Sequence, residues 1–112
     1  MAQGSNPLLT ISVIATTALT QARAVTGVGA LPAAAGRCLG VARTSGAIGD
    51  RVPVDVDGTS IAEAGAAIAV DAALELDATG RFITKASGVT VARALSAATA
   101  AGQMIEVLLI AN

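Results

Sequence analysis

The chain has 112 residues and a net charge of −1, with seven Lys and Arg against eight Asp and Glu, and hydrophobic types make up 54% of it. It has no His, Trp or Tyr, a single Phe82 and a single Cys38. This inventory excludes Ser/His/Asp and Cys/His nucleophile systems and zinc held by Cys or His, and its singly scattered basic residues give no clustered surface for nucleic acid.

The chain opens on Ala2, Gln3, Gly4, Ser5, Asn6, Pro7, Leu8 and Leu9. Gly4, Ser5 and Asn6 cannot build a core, Pro7 favours extended backbone, and Leu8 and Leu9 can anchor one end. Residues 1–9 therefore read as an N-terminal arm able to strap onto a partner, and residues 10–112 as one β-rich domain. Residues 9–16 alternate and are rich in β-branched types, which predicts a first strand. Residues 21–25 alternate again, and residues 37–42 carry Cys38-Leu39-Gly40-Val41.

Residues 51–57 (Arg-Val-Pro-Val-Asp-Val-Asp) alternate at period two. Pro53 cannot donate to a ladder, so this strand is expected at an edge or with a free N–H side. Asp57-Gly58 reads as a tight turn. Ser60 and Glu63 have capping-box spacing, which predicts one helical turn limited by Gly65. Residues 73–76 lead into the turn Asp77-Ala78-Thr79-Gly80, and residues 81–84 return as the hairpin partner. Residues 89–94 form another strand, and residues 97–101 a second short helical turn. Residues 104–110 read as a central strand with Ile105, Val107, Leu108 and Leu109 buried.

Glycines punctuate these segments at short intervals. The pattern predicts an all-β fold: a small β-barrel or sandwich of short strands, with an extended N-terminal arm and at most one or two short helical turns. An internal echo supports it. Residues 47–54 (AIGDRVPV) resemble residues 100–107 (AAGQMIEV), each a small-residue loop ending in Gly plus a polar residue and entering an alternating strand.

Mean hydropathy is high at +0.71, yet the most strongly apolar run, Val107 to Ile110, is far shorter than the ~20 residues of a membrane helix. No membrane partner is expected. The N-terminus has no basic n-region and reads as no secretory signal. A lone Cys38 cannot close an internal disulfide; it reads as a small buried apolar residue in a reducing cytosol. A core of Ala, Val and Leu buries little area per residue, which makes self-association attractive, as a trimer first and a dimer second.

The search for chemistry returns little. Asp55-Val56-Asp57-Gly58 lacks the spacing and distal Glu of a calcium loop. The glycine-rich stretches at residues 27–29 and 36–40 do not match phosphate-binding loops. Lys85 is the only lysine, without the flanking residues of a biotinyl or lipoyl hairpin. No catalytic, cofactor or metal residue is assigned.

The sequence as a whole resembles a family. The features are the polar arm, the Ala/Gly/Val body, residues 49–58 (GDRVPVDVDG), residues 77–81 (DATGR), and above all the ending ARALSAATAAGQMIEVLL over residues 92–109. Over residues 20 to 110 this resembles the small capsid cement, or decoration, proteins of tailed bacteriophages. The resemblance implies a structural virion protein that is made in the bacterial host cytoplasm, binds the outer capsid surface and fastens neighbouring major capsid subunits. It implies no catalysis. The readings set beside it are another virion part, such as a tail or head-completion protein, and a host β-barrel carrier or binding module. The arm residues Ala2 to Leu9 are the expected capsid contacts.

Overall fold

Short alternating segments between glycine turns can bury their apolar faces only by pairing into sheets. The computed structural model describes residues 5–112 and shows eight strands and no helix among them. In chain order they are β1 (Pro7–Ile14), β2 (Ala24–Val25), β3 (Gly40–Ala42), β4 (Arg51–Glu63), β5 (Ala73–Leu76), β6 (Phe82–Thr84), β7 (Ala92–Ala94) and β8 (Met104–Leu109). The sheet runs β2-β3-β4-β8-β7-β5-β6, with β1 also on β4, and every strand pair is antiparallel. Its ends meet. Ala24 N–H donates to the Gly80 carbonyl, and Gly65 N–H to that of Phe82. The result is the expected small all-β barrel, nearly closed.

The 13-residue β4 organises it. Val54 and Asp55 pair with β1 on one side and with β3 on the other. Residues 59–63 pair with β8. Gly58 joins the two halves at φ 86, and a Cβ there would meet the Asn6 carbonyl oxygen at 2.5 Å. The expected tight turn at Asp57-Gly58 is thus a bulge inside a continuous strand. The expected helical turn at Ser60 to Glu63 is also strand. Alternation continues through it, and a ladder to β8 outcompetes one isolated turn. β4 is no edge strand either. Pro53 sits where β3 ends, its carbonyl accepting from Arg43 N–H, so its missing donor leaves no gap in a ladder.

The internal echo is structural. The register Ile14↔Arg51, Val13↔Val52 and Ile11↔Val54 of β1 on β4 reappears as Glu63↔Met104, Ala62↔Ile105 and Ser60↔Val107 of β4 on β8. Leu19 and Gly46 exchange two main-chain bonds, as do Ile68 and Ala98. Ala15 bonds Gly49 and Asp50 as Ala64 bonds Gly102 and Gln103. Gly49 and Gly102 have φ 90 and 89, each in a tight turn where a side chain would be strained. The barrel is two copies of one supersecondary unit, with the first half of β4 standing to β1 as β8 stands to its second half.

Two apolar clusters follow. The larger gathers Phe82, Leu74, Leu76, Ile105 and Val107. The smaller gathers Val52 and Val54 with Ala15, Leu19, Val25 and Ala42. β8 lies between β4 and β7 and is central as expected. Its period-two alternation buries Ile105, Val107 and Leu109 but turns Leu108 outward, 38% exposed. The expectation that Leu108 is buried is corrected on that ground. Cys38 packs against the larger cluster, and burial pushes its thiol up to about 11 despite a hydrogen bond with Asn112.

Candidate functional site

The ionisable side chains most deeply placed are structural. Asp55 is fully buried. It accepts from Thr10 Oγ1 at 2.9 Å, from Ser60 Oγ at 2.8 Å and from Arg43 Nη1 at 3.1 Å. This ties β1, the end of β3 and both halves of β4 to one carboxylate. Glu63 accepts from Arg23 Nε at 3.1 Å and lies 3.7 Å from Arg81, which also pairs with Asp77 at 3.2 Å. That chain of charges crosses the seam where the barrel closes. Glu75 accepts from Ala86 and Gly88 N–H groups, which hold its carboxyl below the usual range. Burial alone would raise the Asp77 carboxyl. Hydrogen bonds from Thr79 and the Arg81 main chain, with the Arg81 charge, hold it low.

Every buried side-chain nitrogen and oxygen among the described residues has a partner. A groove of about 270 Å³ lies over Asp55 and Arg43, beside Ser5, Ile61 and Met104. The carboxylate at its floor is already saturated. Among the described residues no three acidic or Cys side chains gather into a metal site.

The surface offers more. β1 carries no charged residue and is exposed along nearly its whole length. Leu8, Leu9, Ile11 and Ile14 are 79%, 51%, 38% and 53% exposed. Two turns hang from the residues that follow. Thr16 N–H donates to the Gly29 carbonyl, and Gly49 N–H to that of Ala15. Their tips carry Val28 and Ile48, 72% and 73% exposed. Six large apolar side chains thus lie along one strand and the two turns at its end. An apolar grouping of this kind marks a contact surface.

Of the expected arm residues, Pro7, Leu8 and Leu9 fall within β1 and Asn6 leads into it. Asn6 N–H donates to Thr59 Oγ1, and its carbonyl accepts from Thr59 N–H. Ser5 lines the groove. Ala2, Gln3 and Gly4 lie outside the described residues. Sequence reasoning pointed to Leu8 and Leu9 and missed Ile11, Ile14, Val28 and Ile48. The signal was available: residues 7–14 lack any charge, and Val28 and Ile48 each adjoin the glycine of a turn.

A family model described as phage cement protein matches residues 3–109. The crystal structure of the head fiber gp8.5 N base in bacteriophage phi29 has the same fold, with a TM-score of 0.74 and 18% identity, covering 91% of this chain and 93% of that one. No curated protein matches the chain.

Proposed function

The chain belongs to the phage cement protein family, and from that premise we propose that it sits on the outer surface of a phage capsid and fastens neighbouring major capsid subunits. It is a structural component of the virion, and a non-enzymatic role fits an ionisable inventory spent on holding strands and loops. The observation that carries the finer reading is the uncharged, exposed β1 with the Val28 and Ile48 turn tips beside it. Six large apolar side chains left in water along β1 and the two turns at its end gain by burial against another protein, at ~25 cal/mol per Å² of apolar surface covered.

The arm leads into this surface, and Ala2 to Leu9 extend it over the capsid. Contacts repeated over a symmetric shell add through avidity. Synthesis in the host cytoplasm suits a chain whose one thiol is partly buried and held protonated.

The test is binding of the purified chain to emptied, undecorated capsids. Decoration is expected to saturate at a fixed copy number. Deleting residues 2–8 removes the two Asn6–Thr59 hydrogen bonds and the Pro7 end of β1 but no buried apolar side chain of either cluster, so the barrel is expected to stay folded and decoration to weaken. Truncated protein that decorates at unchanged concentration and occupancy would remove the arm from the contact.

A further inference from the structure

β1 has one edge on β4, and the other edge meets no strand among the described residues. Which main-chain groups it presents follows from the register. The Pro53 carbonyl faces Arg43, so Val52 and Val54 face β1, and Val13 and Ile11 opposite them face back at β4. Thr10 and Ser12 therefore aim their N–H and C=O groups outward. In the second repeat the corresponding edge of β4 is occupied, because Thr59 N–H bonds the Asn6 carbonyl and Glu63 N–H the Ala22 carbonyl. Among the described residues, the corresponding edge of β1 is left unfilled.

The side chains say what fills it. Around Ile11 the strand is chemically palindromic: Thr10 matches Ser12, Leu9 matches Val13, and Leu8 matches Ile14. Two copies related by a twofold axis through Ile11 would set hydroxyl against hydroxyl and aliphatic against aliphatic on each face. The main chain agrees with the side chains. Ile11 faces inward, so Ile11↔Ile11 is a non-hydrogen-bonded pair, and the two Thr10↔Ser12 pairs each exchange two hydrogen bonds. A strand of another protein would need no such symmetry in β1. A head-to-tail ring would need a second, different open edge, and the two ends of the sheet are already closed on each other.

Monomeric proteins also protect an edge of this length with Lys, Pro or a cover. Here Pro7 stands at one end, and Gly29 covers only the Ile14 carbonyl at the other. The open stretch is Leu9 to Val13, and pairing it brings the second copy's Leu8 toward Ile14 and Val28.

We infer that the chain forms a twofold dimer by antiparallel β1–β1 pairing centred on Ile11. This puts the dimer ahead of the trimer expected from composition, and it rests on the capsid reading only for its consequence. Each dimer carries two arms and two sets of turn tips, so binding to the shell is bivalent.

Single cysteines in a Cys38→Ala background test the register. Ile11→Cys is expected to form an intermolecular disulfide, since directly opposed Cα atoms lie at ~4.5–5.5 Å, within disulfide reach. Thr10→Cys alone is not, because its copy lies on the diagonal at ~7–8 Å. A mixture of Thr10→Cys and Ser12→Cys is expected to cross-link. Native mass spectrometry of the unmodified chain is expected to show twice 10.8 kDa.

Ile11→Lys, which opposes like charges, and Ser12→Pro, which removes an outward donor, are expected to weaken dimerisation at least about tenfold while the circular dichroism spectrum stays β. A monomer or trimer mass, cross-linking by Thr10→Cys equal to that by Ile11→Cys, or folded Ile11→Lys that still dimerises would overturn the inference. If either variant fails to fold, the cysteine set decides alone. Capsid binding is read separately. A wild-type chain that is monomeric and still decorates defeats the dimer and leaves the capsid reading intact, and a wild-type dimer that does not decorate does the reverse.

Discussion

Replacing Asp55 with Ala should detach β1 before it disturbs the rest of the barrel. The carboxylate is buried and accepts from Thr10, Ser60 and Arg43, which lie on β1, β4 and the end of β3. Truncation leaves two hydroxyls without an acceptor and a guanidinium without a counter-ion. Breaking a buried pair from one side costs ~3–5 kcal/mol. The Arg43 side chain is 41% exposed and rehydrates, so the expected loss is about 2–3 kcal/mol. At ~4–8 °C per kcal/mol for a domain of this size, Tm should fall by roughly 10–20 °C. Thr10→Val removes one hydrogen bond and should cost about 1 kcal/mol. Urea and thermal unfolding by circular dichroism give both values, and hydrogen exchange shows whether the β1 amides bonded to β4 lose protection first. A loss under about 1 kcal/mol for Asp55→Ala, or β1 protection unchanged, would refute the reasoning that this carboxylate latches β1.

The two faces of β8 should separate cleanly. Ile105→Ala, at a fully buried site, is expected to cost ~2–5 kcal/mol, and Leu108→Ala, on the outer face, under about 1 kcal/mol; equal losses in denaturant unfolding would contradict the alternation. Cys38, with its thiol at about 11, should react with a disulfide reagent at pH 8 at least about a hundredfold more slowly in the folded chain than in urea, because the thiolate is the nucleophile; equal rates would place it at the surface. Asp77 and Glu75 titrate lower in the folded chain than unfolded. The stability they contribute is present above the unfolded carboxylate range near pH ~4 and is lost as pH falls through their folded values. Tm should therefore be level from about pH 5 to 8 and drop below about pH 4, and a rise in Tm on acidification would reverse the sign.

Much of this was written in the chain. Period-two alternation at residues 51–57 and 104–109 and the turns after Gly49 and Gly102 gave the strands, and the AIGD and AAGQ segments gave the repeat. What stayed hidden was the extent of β4. Asp57-Gly58 has the composition of a turn, and only the β1 residues packed against Gly58 and the β8 ladder beyond it make it a bulge. Ser60 and Glu63 likewise have the spacing of a helix cap, yet their partners, Asp55 and Arg23, are chosen by tertiary contact. The contact surface was half legible. An apolar strand without charge is visible in sequence, but that its faces remain in water depends on how far β1 projects past the small cluster beneath it. The turn-tip residues Val28 and Ile48 become meaningful only once both turns are seen to hang from Ala15 and Thr16.

The central claim is that this surface binds a capsid shell. The direct measurement is occupancy of emptied, undecorated capsids by purified chain, comparing wild type with Leu8→Asp and with Ile48→Asp, whose turn tip lies off the β1–β1 seam, both at exposed sites where folding should be spared. Saturable decoration by wild type, with at least about tenfold weaker binding by each variant, is the expected result. Wild-type protein that fails to decorate, or variants that decorate equally well, would contradict the account.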